Sequence, residues 1–303
     1  MKTLVYILGF SYSGSTLLAF LLSAHPEIAT TGEIVGPPHF GDGRAFACSC
    51  GTRIQTCAFY RELERRIADP GFDLARGKWG TRVLSQPPTL AERLWFGPLR
   101  PGFLETPRDV CRCLWPGVDG MLSGRLELNR RFVMAACELL DTEILVDSSK
   151  VPAQLPILAR IPGIRLKVVH LLRHPAGCVW SAMTHHGHGP DFPAKAWLRN
   201  LATCEAAVAK LGAGECMRVR YEELCTSPAD VLRDVCAFVG VGYDPRMLRF
   251  RSGVHHVVGN RMRLMQEDRI QADESWRAAL HPDELRVVAN MTGRRAAGHG
   301  YGL

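Results

Sequence analysis

Two apolar runs separated by a glycine- and serine-rich break open the chain. Leu4-Val5-Tyr6-Ile7-Leu8 is continuous and partly β-branched or aromatic, the pattern of a buried strand. Leu17-Leu18-Ala19-Phe20-Leu21-Leu22 is unbranched at Cβ and ends at His25-Pro26. It predicts a buried helix that stops before the proline, because proline disfavours helical geometry in the residue before it. A short extended piece, Glu27–Ile34, follows. Residues 60–69 and 125–140 read as helices, with a stretch rich in proline, glycine and tryptophan over about 70–120 between them.

From residue 144 onward the pattern alternates. Ile144-Leu145-Val146 is a strand and 152–160 a helix. Lys167–Leu172 is a strand, followed by a helix to about His185. Residues 194–211 carry an apolar stripe at helical spacing through Ala194, Trp197, Leu198, Leu201, Cys204, Ala207, Val208 and Leu211. Met217–Tyr221 is a fourth strand, and Ser227-Pro228 opens a helix to about Val239. Short helices are expected over 274–280 and 283–291, and the last ten residues, with glycine at 293, 298, 300 and 302, are expected to fray.

Strands alternating with helices imply a parallel sheet covered on both faces. Ligands of such sheets bind beyond the C-terminal ends of the strands. That rule gathers Gly9–Thr16, Asp147–Lys150, Arg173 and Tyr221 on one edge. No internal repeat or long linker divides the chain, so 1–303 is read as one domain with an insertion of loops and short helices at about 70–120.

The break between the first strand and helix has the spacing of a phosphate-binding loop. Gly9 and Gly14 are five apart and Thr16 closes the motif, as in GxxxxGK[ST], but Ser15 takes the lysine position. Strand, glycine loop and helix start bring backbone N–H groups to one spot, which suits an anion. The missing lysine argues against hydrolysis of a nucleoside triphosphate, since that lysine grips the β- and γ-phosphates. The fold expected is therefore α/β and P-loop NTPase-like, three layers with a central parallel sheet and helices on both faces. A second grip is Arg173, at the end of a strand, with Ser181 eight residues on in the next helix. The planar guanidinium fork matches phosphate. Two phosphate grips on one edge suit a nucleotide with phosphates at both ends of its ribose.

Composition changes this picture little. The net charge of +7 from 37 basic and 30 acidic side chains suits an anionic ligand, and no basic run with interleaved aromatics argues for nucleic acid. The apolar N-terminus resembles a secretory signal, but its apolar run is broken by the glycine loop, and no stretch is apolar enough for a membrane span. Eleven cysteines, an odd number, suit reduced thiols and a cytoplasmic location. Cys48, Cys50 and Cys57 stand close together, but the set lacks a fourth ligand and a standard zinc spacing, so unligated thiols are expected. His185-His186-Gly187-His188 is read as solvent-facing or lining the acceptor pocket rather than as a metal site.

The sequence resembles the sulfotransferases that use 3′-phosphoadenosine-5′-phosphosulfate (PAPS). The resemblance rests on Gly9–Leu18, His25-Pro26, Gly32-Glu33, Leu171-Leu172-Arg173-His174-Pro175 with Ser181, and Arg220-Tyr221-Glu222-Glu223-Leu224. It covers most of 1–261 except 70–120, and looks nearest the bacterial and the protein-tyrosine or glycan-modifying branches. It implies that Ser11, Tyr12, Ser13, Gly14, Ser15 and Thr16 hold the 5′-phosphosulfate. Arg173 and Ser181 would hold the 3′-phosphate, helped by Asn260 and Arg261, and Tyr221 would lie near the adenine. It further implies Glu33 as the base that takes the acceptor's proton, with His39 as an alternative, and Lys150 as the cation on the transferring group. The acceptor would be a small molecule, glycan or peptide, and no metal is needed. One departure is Tyr12, where the family usually has arginine or lysine. A tyrosine hydroxyl donates a hydrogen bond but no charge. A P-loop kinase of a small metabolite, or a non-catalytic nucleotide-binding module, are the other functions these residues allow.

Overall fold

The computed structural model describes residues 1–37, 46–84, 89–96, 107, 111, 120, 122–251, 256–264 and 268–302. His39, Trp115, His255 and about half of the expected 70–120 insertion lie outside the described residues; within that insertion Leu90–Phe96 is helical.

Strand β1 (Lys2–Gly9) lies at the centre of a parallel sheet whose order is β2-β3-β1-β4-β5. The others are β2 (Ile28–Gly32), β3 (Ile144–Asp147), β4 (Ile164–Leu172) and β5 (Cys216–Arg220). Register fixes which residues share a level: Val5 faces Val146 of β3 and Lys167 of β4, and Gly9 faces Leu171. Side chains of β1 alternate between two cores, as strand geometry requires. Leu4, Tyr6 and Leu8 join one core with Tyr60, Leu63, Phe132 and Leu155, while Val5 and Ile7 join the other with Leu18, Phe20, Val235 and Phe250. With both faces of the sheet covered by helices, the fold is the three-layer, P-loop NTPase-like α/β arrangement expected from the alternation.

Helix α1 (Ser15–Ser23) is buried on all sides except at Ser23, which explains its unbroken apolar sequence. Helix α2 (Ala58–Ile67) packs with Ser123–Leu139 on the opposite face. Pro175–His186 and Asp191–Val208 carry the chain from β4 to β5.

Three elements differ from expectation. Tyr221 does not end β5 but starts a short helix, Tyr221–Thr226, in which Glu222 and Glu223 lie in the first turn. That run reads equally well as a strand end, and the acidic first turn decides for the helix. The last helix runs through Pro282–Ala297, well beyond Met291. The C-terminal residues are not frayed. Tyr301 is 3% exposed, its hydroxyl donates to Glu222 Oε2 at 3.0 Å, and the Arg220 guanidinium lies 4.5 Å from its ring. Glycine content argued for fraying; one buried aromatic outweighs it.

Candidate functional site

The phosphate-loop spacing produces a real loop at the C-terminal end of β1. Gly9 packs so closely against β4 that a Cβ would overlap the Leu171 carbonyl oxygen. Gly14 has φ 90°, and a Cβ there would overlap the Tyr221 ring. Glycine is therefore required at both motif positions by contact, and at Gly14 by backbone conformation as well. Ser13 N donates to Phe10 O at 3.2 Å, closing the turn, and the buried Ser13 hydroxyl has no partner within the protein. Thr16 and Ser15 are buried at the start of α1, where the helix N-terminus favours an anion.

Arg173 reaches the same loop from the end of β4. It is 6% exposed; Nη1 donates to Tyr12 O at 2.7 Å and lies 3.4 Å from Ser181 Oγ. Nη2 donates to the Asp273 carbonyl at 2.9 Å and to Asp273 Oδ2 at 3.1 Å. The guanidinium also sits 4.7 Å from the Tyr221 ring centre. Helix Pro175–His186 places Ser181 by its two-turn offset, and His174 fixes the helix start, its ring accepting from Ala176 N at 3.2 Å. Tyr221 is pinned in turn: Asp273 N donates to its hydroxyl at 3.0 Å. Burial pushes the Tyr221 phenol up to about 12, so it stays neutral as a donor.

Glu33 and Lys150, 117 residues apart in sequence, meet at the ends of β2 and β3. Lys150 Nζ lies 2.8 Å from Glu33 Oε1 and also donates to the Ser148 carbonyl. Gly259 approaches the Glu33 side chain so closely that a Cβ would lie 3.3 Å from Glu33 Cγ. Asp147 organises this edge from below. Fully buried, it accepts from Ile34 N at 3.1 Å, from Ser149 N at 2.9 Å and from the Ser149 hydroxyl. Burial raises its carboxyl to about 6, against hydrogen bonds and the Lys150 charge that pull it down. Tyr12 and Lys150 both hold left-handed backbone, with φ 67° and 58°. Such non-glycine strain concentrates where structure over-determines it, at functional sites.

These groups line one cleft of about 830 Å³. Ser11, Tyr12, Gly14, Ser15, Thr16, Glu33, Lys150, Arg173, Ser181, Tyr221 and Asn260 all contribute to its wall. Ser13 lies behind the loop, and Arg261 is exposed outside the wall. The second cation of that loop, Arg263, is buried and holds the backbone together, donating to Gly259 O at 2.7 Å and Ala47 O at 3.0 Å. Tyr12, the departure from the family pattern, does not stand alone. Its hydroxyl lies 2.9 Å from His186 Nε2 and its ring 4.9 Å from that of His185, which also lines the cleft. Sequence reasoning missed Arg269, Gln271 and Asp273, which wall the cleft from an irregular segment without a motif. It also missed Arg82, a half-buried cation on which the Glu33 charge acts.

Residues 155–245, the segment that holds Arg173, Ser181 and Tyr221, match the model described as "Sulfotransferase family". The sulfotransferase domain of the olefin synthase of Synechococcus PCC 7002 is similar in structure, with a TM-score of 0.50 and 19% identity, covering 100% of this chain and 96% of that one. The sulfotransferase domain of the curacin biosynthetic pathway is similar at TM-score 0.53 and 18% identity, over 97% and 98% of the two chains. No curated protein matches the chain. The family match over 155–245 agrees with the resemblance to the sulfotransferases read from the sequence, and the two structural likenesses show a shared fold. Among the described residues no helix is long and apolar enough to cross a membrane.

Proposed function

We propose that this protein transfers the sulfuryl group of PAPS to a hydroxyl or amine of a small-molecule, glycan or peptide acceptor. The observation that carries the reading is the convergence, on one cleft, of a lysine-less phosphate loop, the Arg173–Ser181 pair and the Glu33–Lys150 pair.

In this reading the loop N–H groups and the hydroxyls of Ser11, Ser15 and Thr16 hold the 5′-phosphosulfate. Arg173, Ser181 and Asn260 hold the 3′-phosphate, and the adenine lies near Tyr221. Arg173 is held extended by Tyr12 O and Asp273, and the phosphate takes the place of the Asp273 carboxylate on its Nη2 edge. The acceptor oxygen or nitrogen attacks sulfur, the bond from sulfur to the bridging phosphate oxygen breaks in line, and the acceptor proton passes to Glu33. Lys150 has three N–H donors, of which two are engaged by Glu33 and Ser148 O, leaving one for the transferring group. Charge on the departing phosphate is stabilised by the loop and helix start. The Tyr12 hydroxyl, hydrogen-bonded to His186 Nε2 at 2.9 Å, stands at the same loop in the place of the family's cation.

Calorimetry with adenosine 3′,5′-bisphosphate tests the two grips. Arg173→Ala should weaken binding by at least about a hundredfold, because a buried charge-assisted contact is lost. Glu33→Gln should leave that affinity within about threefold while lowering transfer from labelled PAPS by about 100-fold or more. Wild-type protein that fails to bind the bisphosphate refutes the reading. Binding without turnover on any acceptor assigns a nucleotide-binding module instead.

A further inference from the structure

Away from the cleft wall, the three clustered cysteines acquire the fourth donor that their spacing lacks. His256, 199 residues beyond Cys57, folds back onto them. Its Nδ1 lies 3.3 Å from Cys57 Sγ and 3.7 Å from Cys48 Sγ, and Cys50 Sγ lies 3.7 Å from Cys57 Sγ. All four donor atoms fall within 4.8 Å of one another. We propose that Cys48, Cys50, Cys57 and His256 bind a structural zinc ion.

The distances have the right size. Zinc–sulfur bonds of about 2.3 Å and zinc–nitrogen bonds of about 2.0 Å at tetrahedral angles separate two sulfurs by about 3.8 Å and sulfur from nitrogen by about 3.5 Å. The Cys57–His256, Cys48–His256 and Cys50–Cys57 separations lie near these values, and no pair exceeds 4.8 Å. A disulfide requires about 2.05 Å and a different approach of the two sulfurs. Three thiolates and an imidazole are a soft, closed set of four, the set that selects zinc and leaves no open position for catalysis.

The supporting structure is built for this geometry. Cys48 N donates to Thr52 O at 2.8 Å and Gly51 N to Cys48 O at 2.9 Å, with Gly51 at φ 87°. That tight turn, closed by the Ala47–Arg53 bridge, brings Cys48 and Cys50 to one side. Cys57 immediately precedes α2, whose start fixes its position. The Phe59 ring stacks on His256 at 4.8 Å and 4°, and Tyr60 donates to the His256 carbonyl at 2.8 Å, so the imidazole is held from both ends. Cys48 and Cys57 are buried and Cys50 lies at the rim.

The ion would clip two distant segments together next to the cleft. Ser49 N donates to Val257 O at 3.2 Å, and Val257 N to Ser49 Oγ at 2.8 Å. One residue on, Val258 pairs with Gly32, and its carbonyl accepts from Glu33 N at 3.1 Å. The metal would therefore tie the 48–57 segment to the chain just before the loop that carries Gly259 and Asn260, a loop that Val258 joins to the strand end carrying Glu33. This inference stands independently of the sulfuryl-transfer reading.

Metal analysis of the reduced full-length protein, purified without chelator from zinc-supplemented culture, tests it. About one zinc per chain is expected. Cobalt added to the demetallated protein should give thiolate-to-metal charge-transfer bands and the visible bands of a tetrahedral ion. Cys50→Ser, at an exposed position, and His256→Ala should each lower zinc affinity by more than about tenfold while circular dichroism stays that of a folded chain. Reduced wild-type protein that holds no zinc and gives no cobalt bands overturns the proposal, as does an intact Cys50–Cys57 disulfide in the isolated protein.

Discussion

Asp147 is a fully buried carboxylate whose oxygen fixes both the turn after β2 and the turn that presents Lys150. Its carboxyl is raised to about 6, chiefly by burial. A raised folded-state value means that its favourable contribution to stability is complete below the unfolded value of about 4 and is lost as pH rises through about 6. Wild-type protein should therefore gain stability relative to Asp147→Asn, whose amide does not titrate, as pH falls from 8 to 4.5. The expected gain is on the order of 2 kcal/mol. Thermal melts of the two proteins across that range measure it, and a difference that stays flat with pH would show that Asp147 is not the group responsible. The same residue explains what was legible here. Asp147-Ser148-Ser149-Lys150 is readable as a strand-end cluster, but which of its two charges faces Glu33 is not. Lys150 points there because its φ of 58° turns the chain back, a conformation that no residue type at that position announces.

At the scale of elements, the phosphate loop and α1 depend on the contact between Gly14 and Tyr221. Gly14→Ala would place a methyl group against a ring that is itself held by Arg173 and the Asp273 backbone, in a left-handed conformation that costs about 1–2 kcal/mol for an L-residue. Stability should fall by about 2 kcal/mol or more, and bisphosphate affinity should fall with it. Denaturant titration and calorimetry read the two effects; an unchanged midpoint would mean that the loop yields without strain. Gly9–Thr16 was legible because its spacing is local: four residues between glycines set the geometry with little help from elsewhere. The Tyr221–Thr226 helix was not, since a short apolar-flanked segment suits a strand end equally well until the acidic first turn is placed against the sheet. The walls contributed by Arg269 and Asp273 come from a segment with neither periodicity nor motif, so nothing in its sequence marks them.

Across the whole molecule, the C-terminal residues close behind Arg173. Glu222 accepts from His174 N at 2.9 Å and from the Tyr301 hydroxyl at 3.0 Å, and Gly302 O lies 2.9 Å from His174 Nε2. His174 is the neighbour of Arg173, so the end of the chain buttresses the arginine from outside the cleft. Tyr301→Ala should cost about 3 kcal/mol, as for other buried aromatic truncations, and should weaken bisphosphate binding through Arg173. A frayed end would show neither effect in melts or calorimetry.

What the sequence by itself determined is the set of features with short-range causes. They are the alternation of strands and helices, the parallel sheet it implies, the glycine loop, and the Arg173–Ser181 offset within one helix turn pattern. Each follows from backbone geometry over fewer than about a dozen residues. Only the tertiary structure decided the rest. The Glu33–Lys150 pair, the Tyr12–His186 hydrogen bond, the Arg173–Asp273 contact and the Cys48, Cys50, Cys57 and His256 cluster join residues about 100 to 200 positions apart. Spacing carries no signal across such lengths, because the partner is chosen by the order of strands in the sheet and by the loops that sheet brings to one edge.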